Sequence, residues 1–334
     1  MKRWECKKRR PRRRAPSGDR SAFTLIELLV TISIIATLGA LSITTVRSSI
    51  ETARRSQTET TIAKIDSALT SIYERYQYLR LEPIGANGQA RAWNRVEMIR
   101  DLLRCDLPCV PEELENVWAL EGTPTPLQES YRAAIANAYG TNWIDALNVW
   151  AGGEDPRVCN AELLYLVVTN ADPETRAGFS GRDVADTDGN GLLEFVDGWG
   201  RPICWMRWAP GLESSDRQPQ IPEGLPFVYD EDMDADPFNP LGLSFQAANA
   251  GEPPTVNYPD KGWFLVPYIF SGGPEVDDED PELGWYGLVP PIGTSEPFSA
   301  AHEYRANDSD ELIPGAPDGS KTHKDNIDNH TLVR

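Results

Sequence analysis

The longest apolar stretch of the chain lies near its N-terminus. It runs from Phe23 to Val46 and reads FTLIELLVTISIIATLGALSITTV, with Glu27 as its single charged residue. As a helix that rises 1.5 Å per residue, this stretch is about 36 Å long, which is enough to cross a bilayer. An ordinary secretory signal is shorter and ends in an A-x-A-like site, which does not follow this stretch. The pattern therefore predicts a transmembrane helix at residues 23–46.

A second hydrophobic pattern, with a helical period, follows the apolar stretch. Beyond Arg47, apolar residues recur at intervals of three and four, at Ile62, Ile65, Leu69, Ile72, Tyr76 and Leu79. Such spacing marks one face of an amphipathic helix. It predicts that the helix continues through residues 47–82, where Pro83 and Gly85 supply the stop.

Residues 83–334 are predicted to form an exported globular domain. Helical spacing occurs in RAWNRVEMIRDLL, LQESYRAAIANAY and WIDALNVW, and Asn160 is expected to cap a helix over AELLYLVV. From residue 195 onward, ICWMRW, PFVY and WFLVPYIF are rich in β-branched and aromatic residues, which indicates strands. The expected fold class is α+β: a long N-terminal transmembrane and amphipathic helix packed on a small antiparallel sheet, with large helical and loop insertions at 84–160 and 209–260.

Charge is distributed very unevenly along the 334 residues. The net charge is -19, yet residues 1–22 carry ten Lys and Arg and only two acids, Glu5 and Asp19. A basic segment before an apolar helix favours a cytoplasmic N-terminus. We therefore expect a single-pass protein of the cell inner membrane whose acidic globular domain is periplasmic or extracellular. A nucleic-acid partner is not expected, because the acidic part lacks the basic patch that phosphate binding requires.

The junction between the basic and the apolar segment carries a distinctive motif. Residues 21–30, SAFTLIELLV, resemble the cleavage and methylation motif of type IV prepilins and of type II secretion pseudopilins. The resemblance implies that a prepilin peptidase cuts between Ala22 and Phe23, removes the leader 1–22 and methylates the new amino terminus. Ala22 stands where the family usually has glycine. The resemblance also implies a filament of pilin-like subunits, built on an inner-membrane assembly platform.

Glu27 is the candidate assembly residue. A carboxylate inside an apolar span is costly unless it finds a partner. Cleavage before Phe23 creates a positive amine one helical turn from Glu27, and the same amine on a neighbouring subunit has the charge to neutralise it. The alternative is a chance acid near the end of an uncleaved anchor, whose side chain reaches the membrane interface.

Two parts of the globular domain are similar to the major pseudopilin of type II secretion. Residues 197–203, DGWGRPI, resemble its D-x-W-G-x-P segment, which leads into the first strand of the sheet. Residues 268–275, YIFSGGPE, and later 325–327, DNI, resemble its S-x-G-x-D-G and closing segments. In that family these segments hold a C-terminal calcium site, which the resemblance would place at Glu275 and Asp325; here Glu275 stands in place of aspartate and Val276 in place of glycine, so the match to that site is loose.

A separate calcium candidate rests on residue spacing. Residues 186–197, DTDGNGLLEFVD, place oxygen-bearing side chains at positions 1, 3, 5, 9 and 12 of an EF-hand-like loop, and glycine at position 6. The predicted calcium ligands are Asp186, Asp188, Asn190, the Leu192 carbonyl, Glu194 and Asp197. Asp197 stands where a bidentate glutamate is usual. The alternative is an acidic turn that holds no ion.

The cysteines and histidines indicate no catalytic centre. Four cysteines fall in the predicted exported part, where disulfides can form: Cys105, Cys109, Cys159 and Cys204. Disulfides of unknown pairing, or inert thiols, are favoured over a zinc site, because there is only one close pair of cysteines. The three histidines are too widely spaced for a catalytic cluster, and no nucleophile-elbow, P-loop or zinc-protease motif occurs. We therefore predict a protein that is not an enzyme.

Together these patterns predict a structural subunit of a type II secretion pseudopilus. The nearest alternative is a type IV pilus or competence pilin subunit, because both classes share the N-terminal motif. A third interpretation is a membrane-tethered domain that acts in calcium-dependent binding or catalysis and never polymerises. Processing of the N-terminus distinguishes a filament subunit from a tether.

Overall fold

The computed structural model describes residues 23–82, 88–118, 121–153, 155–171, 173–209, 267–274, 286, 288 and 326–332. The chain divides into two compact units, Met1–Glu51 and Thr52–Arg334. The predicted leader with Ala22, the segment PFVY, and the implied calcium ligands Glu275 and Asp325 lie outside the described residues, as does nearly all of the 209–260 insertion.

The first helix, α1 (Leu25–Gln77), is continuous over 53 residues. In its C-terminal part, the apolar positions that recur at intervals of three and four are buried at Ile62, Ile65, Leu69 and Ile72. The predicted periodicity is therefore a true helix face. The helix ends at Gln77, several residues before the proline expected to stop it.

A series of helices follows α1. They are α2 (Gly88–Asp106), a 3-10 helix (Pro111–Glu115), α3 (Pro126–Tyr139), α4 (Trp143–Gly153), α5 (Pro156–Ala171) and α6 (Pro173–Arg176). The boundaries of α3 follow from its sequence: Thr125 caps it by accepting the Gln128 N–H, Pro126 occupies its first turn, and Gly140 ends it with a φ of 65°. Helices α2, α3 and α4 coincide with the three segments of helical spacing.

Two small antiparallel sheets complete the described residues. A hairpin pairs β1 (Val184–Ala185) with β2 (Glu194–Phe195). A three-stranded sheet has the order β3 (Cys204–Met206), β4 (Tyr268–Ser271) and β5 (Ile327–Asp328), and a short helix, α7 (Asn329–Leu332), follows it. Phe270 pairs with Cys204 on one side and with Asp328 on the other. Strands thus occur within ICWMRW and WFLVPYIF, as predicted.

Within the unit Thr52–Arg334, the long helix packs on the three-stranded sheet. Leu69 of α1 belongs to the same buried cluster as Trp205 of β3 and Ile269 of β4. The hydroxyl of Tyr73 on α1 also donates to the carbonyl of Arg207, just after β3, at 2.9 Å. This packing, together with the helices α2 to α6 that follow α1 in the chain, confirms the predicted α+β class.

The predicted helix cap at Asn160 is wrong. Helix α5 begins earlier, at Pro156, directly after Asp155. Asn160 lies fully buried inside the helix, where its amide nitrogen donates to the Cys109 carbonyl at 2.6 Å and its amide oxygen accepts the Trp205 N–H at 2.8 Å. The side chain therefore satisfies backbone groups that are distant in sequence.

All four described cysteines are buried, free thiols. Burial raises the pKa of Cys105 and of Cys109 to about 12, and it raises the pKa of Cys204 as well. These thiols are therefore protonated near neutral pH and poorly reactive. A disulfide among Cys105, Cys109, Cys159 and Cys204 stays a prediction.

Candidate functional site

The N-terminal motif forms a reciprocal cap on α1. Thr24 Oγ1 accepts the Glu27 N–H at 3.3 Å, and Glu27 Oε2 accepts both the N–H and the hydroxyl of Thr24 at 2.9 Å. This is a capping box of the form T-x-x-E. The sequence interpretation gave Glu27 an assembly role and missed its local one, although the spacing to Thr24 is a known cap signal. The Glu27 carboxylate is thus held next to the residue that follows Phe23.

The first part of α1 has the surface of a membrane span. Among the described residues, α1 is the one helix long and apolar enough to cross a bilayer, judged by length and composition. Its apolar side chains are exposed, as at Leu25 and Ile35. Its hydroxyls donate to carbonyls three or four residues earlier in the helix, at Thr31, Ser33, Thr37, Ser42 and Thr45. A helix whose polar groups are satisfied internally is suited to lipid.

The acidic loop connects β1 to β2, and its first half is a tight turn. Asp186 Oδ1 accepts the Gly189 N–H at 2.7 Å, and Asp186 Oδ2 accepts the Gly191 N–H at 3.2 Å. Gly189 and Gly191 have φ angles of 80° and 93°, which glycine adopts without steric cost. Asp188 accepts the Asn190 N–H at 3.1 Å. The two glycines thus let the backbone wrap around the Asp186 carboxylate.

Two further carboxylates lie buried behind this turn, Glu194 on β2 and Glu162 on α5. Glu194 Oε1 accepts the Thr187 N–H, which directs this side chain into the loop, while Glu194 Oε2 is buried without a hydrogen-bond partner. Glu162 accepts hydrogen bonds from Asn190 Nδ2 at 2.7 Å and from the indole N–H of Trp150. Neither glutamate has an ion pair with a basic side chain in the described part of the chain.

The protein environment raises the pKa of both buried glutamates. The pKa of Glu162 rises to about 8, mainly because the side chain is buried. The negative charges of Asp188 and Glu194 raise it further, whereas the hydrogen bonds from Asn190 and Trp150 lower it. Burial also raises the pKa of Glu194, with Asp188 contributing repulsion. Each of these glutamates therefore keeps its proton to a higher pH than a free glutamate does, because burial and the neighbouring acids disfavour its charged form.

Asp197, the last predicted ligand, is engaged elsewhere. Its Oδ1 accepts the backbone N–H groups of Trp199 at 2.8 Å and Arg201 at 3.0 Å, and its Oδ2 accepts the Ser271 hydroxyl at 2.7 Å. Burial raises the pKa of Asp197, and these hydrogen bonds oppose the shift. The Asp197 carboxylate therefore closes the turn before β3 and fastens that turn to the end of β4.

The structure thus brings most of the predicted loop ligands near one another and places Asp197 apart from them. Contacts or shared electrostatics join Asp186, Asp188, Asn190 and Glu194, whereas Asp197 belongs to the next turn. Leu192 lies in the same loop, and its N–H donates to Asn190 Oδ1 at 2.7 Å. Glu162 joins the group from α5, and no local spacing in the sequence indicates it. In the part of the chain that is described, no three acidic, histidine or cysteine side chains already stand at metal-binding distances.

The segments D-x-W-G-x-P and S-x-G meet in space. Besides the bond from Ser271 to Asp197, the Arg201 guanidinium donates to the carbonyl of Gly273. The Ser271 position also pairs with Ile327 of β5. Three segments that are far apart in sequence therefore form one end of the three-stranded sheet.

Comparison with known protein families places one model on this chain. Residues 18–43 match the prokaryotic N-terminal methylation motif. The comparisons with curated proteins and with solved structures gave no match.

Proposed function

Since the methylation motif and the long apolar helix fit a type IV prepilin-like protein, we propose that this chain is a structural subunit of a type II secretion pseudopilus. The motif implies processing by prepilin peptidase and assembly into pilin-like filaments. Pilin-like structural proteins are generally not enzymes, and the proposed role needs no catalysis.

The observation that carries the choice of a pseudopilus is the meeting of the three pseudopilin-like segments. Each segment resembles the pseudopilin in sequence, and the three lie far apart along the chain. In the structure, Asp197 of the first segment binds Ser271 of the second, and β4 pairs with β5 of the third. Unrelated chance matches would have no reason to share one end of a sheet.

The proposed location is the inner membrane, with α1 as a single span. The apolar helix and the motif support membrane anchoring. The basic segment 1–22 favours a cytoplasmic N-terminus, and the globular domain then lies outside the cytoplasm. The partners in this proposal are other pilin-like subunits, the peptidase and an inner-membrane assembly platform.

A type IV pilus or competence pilus is the alternative that the N-terminal motif allows equally well. Deletion of the gene separates the two proposals. Loss of secreted proteins with pili intact supports the pseudopilus, whereas loss of pili or of DNA uptake with normal secretion refutes it.

Processing is tested by mass spectrometry of the protein purified from its native membrane. The expected N-terminus is an N-methylated Phe23. An intact Met1 terminus would exclude processing and favour the membrane-tethered domain.

The capping box allows a sharp test of assembly through Glu27. Glutamine can cap a helix as glutamate does, but it carries no charge for a neighbouring amine. We therefore expect Glu27→Gln to keep α1 capped and still assemble as poorly as Glu27→Ala in a crosslinking assay. If Glu27→Gln assembles normally and Glu27→Ala does not, the cap and not the charge is what assembly requires.

A further inference from the structure

Glu194 presents a buried carboxylate oxygen to the acidic loop with no donor to satisfy it. Such an atom is costly in a folded protein, and a bound cation would satisfy it. We propose that the loop from Asp186 to Glu194 binds a calcium ion, and that Glu162 of α5 supplies the closing carboxylate in place of Asp197. This site is independent of the proposed filament role.

The unsatisfied oxygen of Glu194 indicates a cation site, because the side chain is buried and held in one orientation. Glu194 is fully buried, and the hydrogen bond from Thr187 N–H to its other oxygen holds the carboxylate against the loop backbone. No basic side chain pairs with it among the described residues. A carboxylate that is buried, oriented and unpaired carries a desolvation cost that a bound cation would offset.

Glu162 faces the same loop through Asn190. The amide nitrogen of Asn190 donates to Glu162 Oε1 at 2.7 Å and to Asp188 Oδ2 at 2.8 Å. The two amide N–H groups of Asn190 therefore lie between the carboxylates of Glu162 and Asp188, where a cation would lie. A calcium ion competes with this amide for both carboxylates and offers them a full charge instead of a partial one.

The donor chemistry selects calcium over transition metals. Calcium takes six to eight oxygen ligands, and its affinity rises with the number of charged ligands. The ligand set consists of the carboxylates of Asp186, Asp188, Glu194 and Glu162 and the backbone carbonyl of Leu192. It contains only oxygen, whereas zinc and copper sites prefer nitrogen or sulfur.

Asp197 cannot serve as the twelfth loop residue without dismantling its turn. Both of its oxygens accept hydrogen bonds from Trp199, Arg201 and Ser271. Glu162, in contrast, accepts no backbone N–H of a turn in the described part of the chain. The indole of Trp150 holds one of its oxygens, and its other oxygen accepts the Asn190 amide of the loop. The longer glutamate on α5 thus takes the place that a glutamate holds at the end of an EF-hand loop.

The test uses the full chain in detergent and terbium as a luminescent probe for calcium. Trp150 donates to Glu162, so an ion at this site lies close to an indole and its emission is sensitised through that ring. We expect sensitised emission that calcium displaces and magnesium does not, and that is lost in Trp150→Phe. Calcium affinity is measured by displacement in the parent chain, Glu162→Gln and Asp197→Asn.

The expected result is a loss of about tenfold or more in calcium affinity for Glu162→Gln, and a change of less than about threefold for Asp197→Asn. Equal affinity of Glu162→Gln and the parent overturns the role of Glu162. Absence of displaceable emission at millimolar calcium, or equal displacement by magnesium, overturns the calcium site. Asp197→Asn removes turn contacts, so its melting curve is recorded; if it does not fold, the comparison of Glu162→Gln with the parent decides alone.

Discussion

A single added methyl group at Gly198 should damage the fold. A Cβ atom built at Gly198 would lie 2.4 Å from the carbonyl oxygen of Arg54 and 2.6 Å from the Arg54 Cα. These atoms belong to the backbone of α1, so no side-chain rotation can relieve the overlap. The turn after Asp197 must therefore retreat from the helix in Gly198→Ala.

The retreat would also break a relay of hydrogen bonds. The Gly198 N–H donates to Thr58 Oγ1 at 2.9 Å, and the Thr58 hydroxyl donates to the Arg54 carbonyl at 3.0 Å. Overpacking costs about 1–3 kcal/mol, and a lost hydrogen bond about 1 kcal/mol. We expect Gly198→Ala to lose about 2–4 kcal/mol of stability and to melt about 5–15 °C lower.

The assay is thermal unfolding of the full chain in detergent, followed by circular dichroism. Gly181→Ala is the matched control, because no atom lies within 4 Å of a Cβ built there. Thr58→Val removes the hydroxyl without adding bulk and should lose about 1–2 kcal/mol. A Gly198→Ala protein that melts with the parent would show that the turn does not touch α1 as described.

Three further predictions concern buried polar groups, each measured by chemical or thermal unfolding. Burial raises the pKa of Asp183, but hydrogen bonds from Ser180 and Lys64 outweigh burial, so the net pKa is lowered. The stability that Asp183 contributes is therefore present above its unfolded pKa near 4 and is lost as the pH falls through its folded pKa. Asp183→Asn should flatten the acid side of the plot of stability against pH, and an unchanged slope contradicts this. Glu113→Gln leaves the buried Arg207 charge uncompensated and should cost about 3–5 kcal/mol; a loss below about 1 kcal/mol would count against a charged pair. Asn160→Leu strips three buried backbone groups of their partner and should cost about 3 kcal/mol or more, and a stable variant would show that water or a shift replaces the amide.

Sequence patterns predicted the elements whose signals are local. The two-part character of α1 could be predicted because bilayer length and a period of three to four are both properties of one continuous helix. The boundaries of α3 have explicit signals in Thr125, Pro126 and Gly140. The start of α5 has such a signal too, since Asp155 and Pro156 form a normal N-cap and first-turn pair. The predicted cap at Asn160 missed it.

Long-range partners could not be predicted in this way. Asn160 has the residue type of a cap, yet its amide bonds to backbone groups of Cys109 and Trp205, which are about 50 positions away on either side. The spacing of the four cysteines gave no information on pairing, because whether two thiols meet depends on how α2, α5 and β3 pack. The orphaned oxygen of Glu194 is likewise a property of the folded core alone.

The acidic loop shows how two overlapping patterns compete for one residue. Asp197 is both the twelfth residue of the EF-hand-like spacing and the first residue of D-x-W-G-x-P, and its carboxylate has only two oxygens. The turn takes both oxygens, since it joins β3 to β4 through Ser271 and sets Gly198 against α1. A loop deprived of its closing acid should bind calcium more weakly unless another carboxylate reaches it from outside the pattern. Glu162 is buried on α5 and accepts a hydrogen bond from Asn190 of the loop, so in the proposed site it would supply that carboxylate and the bound ion would offset the cost of burying it.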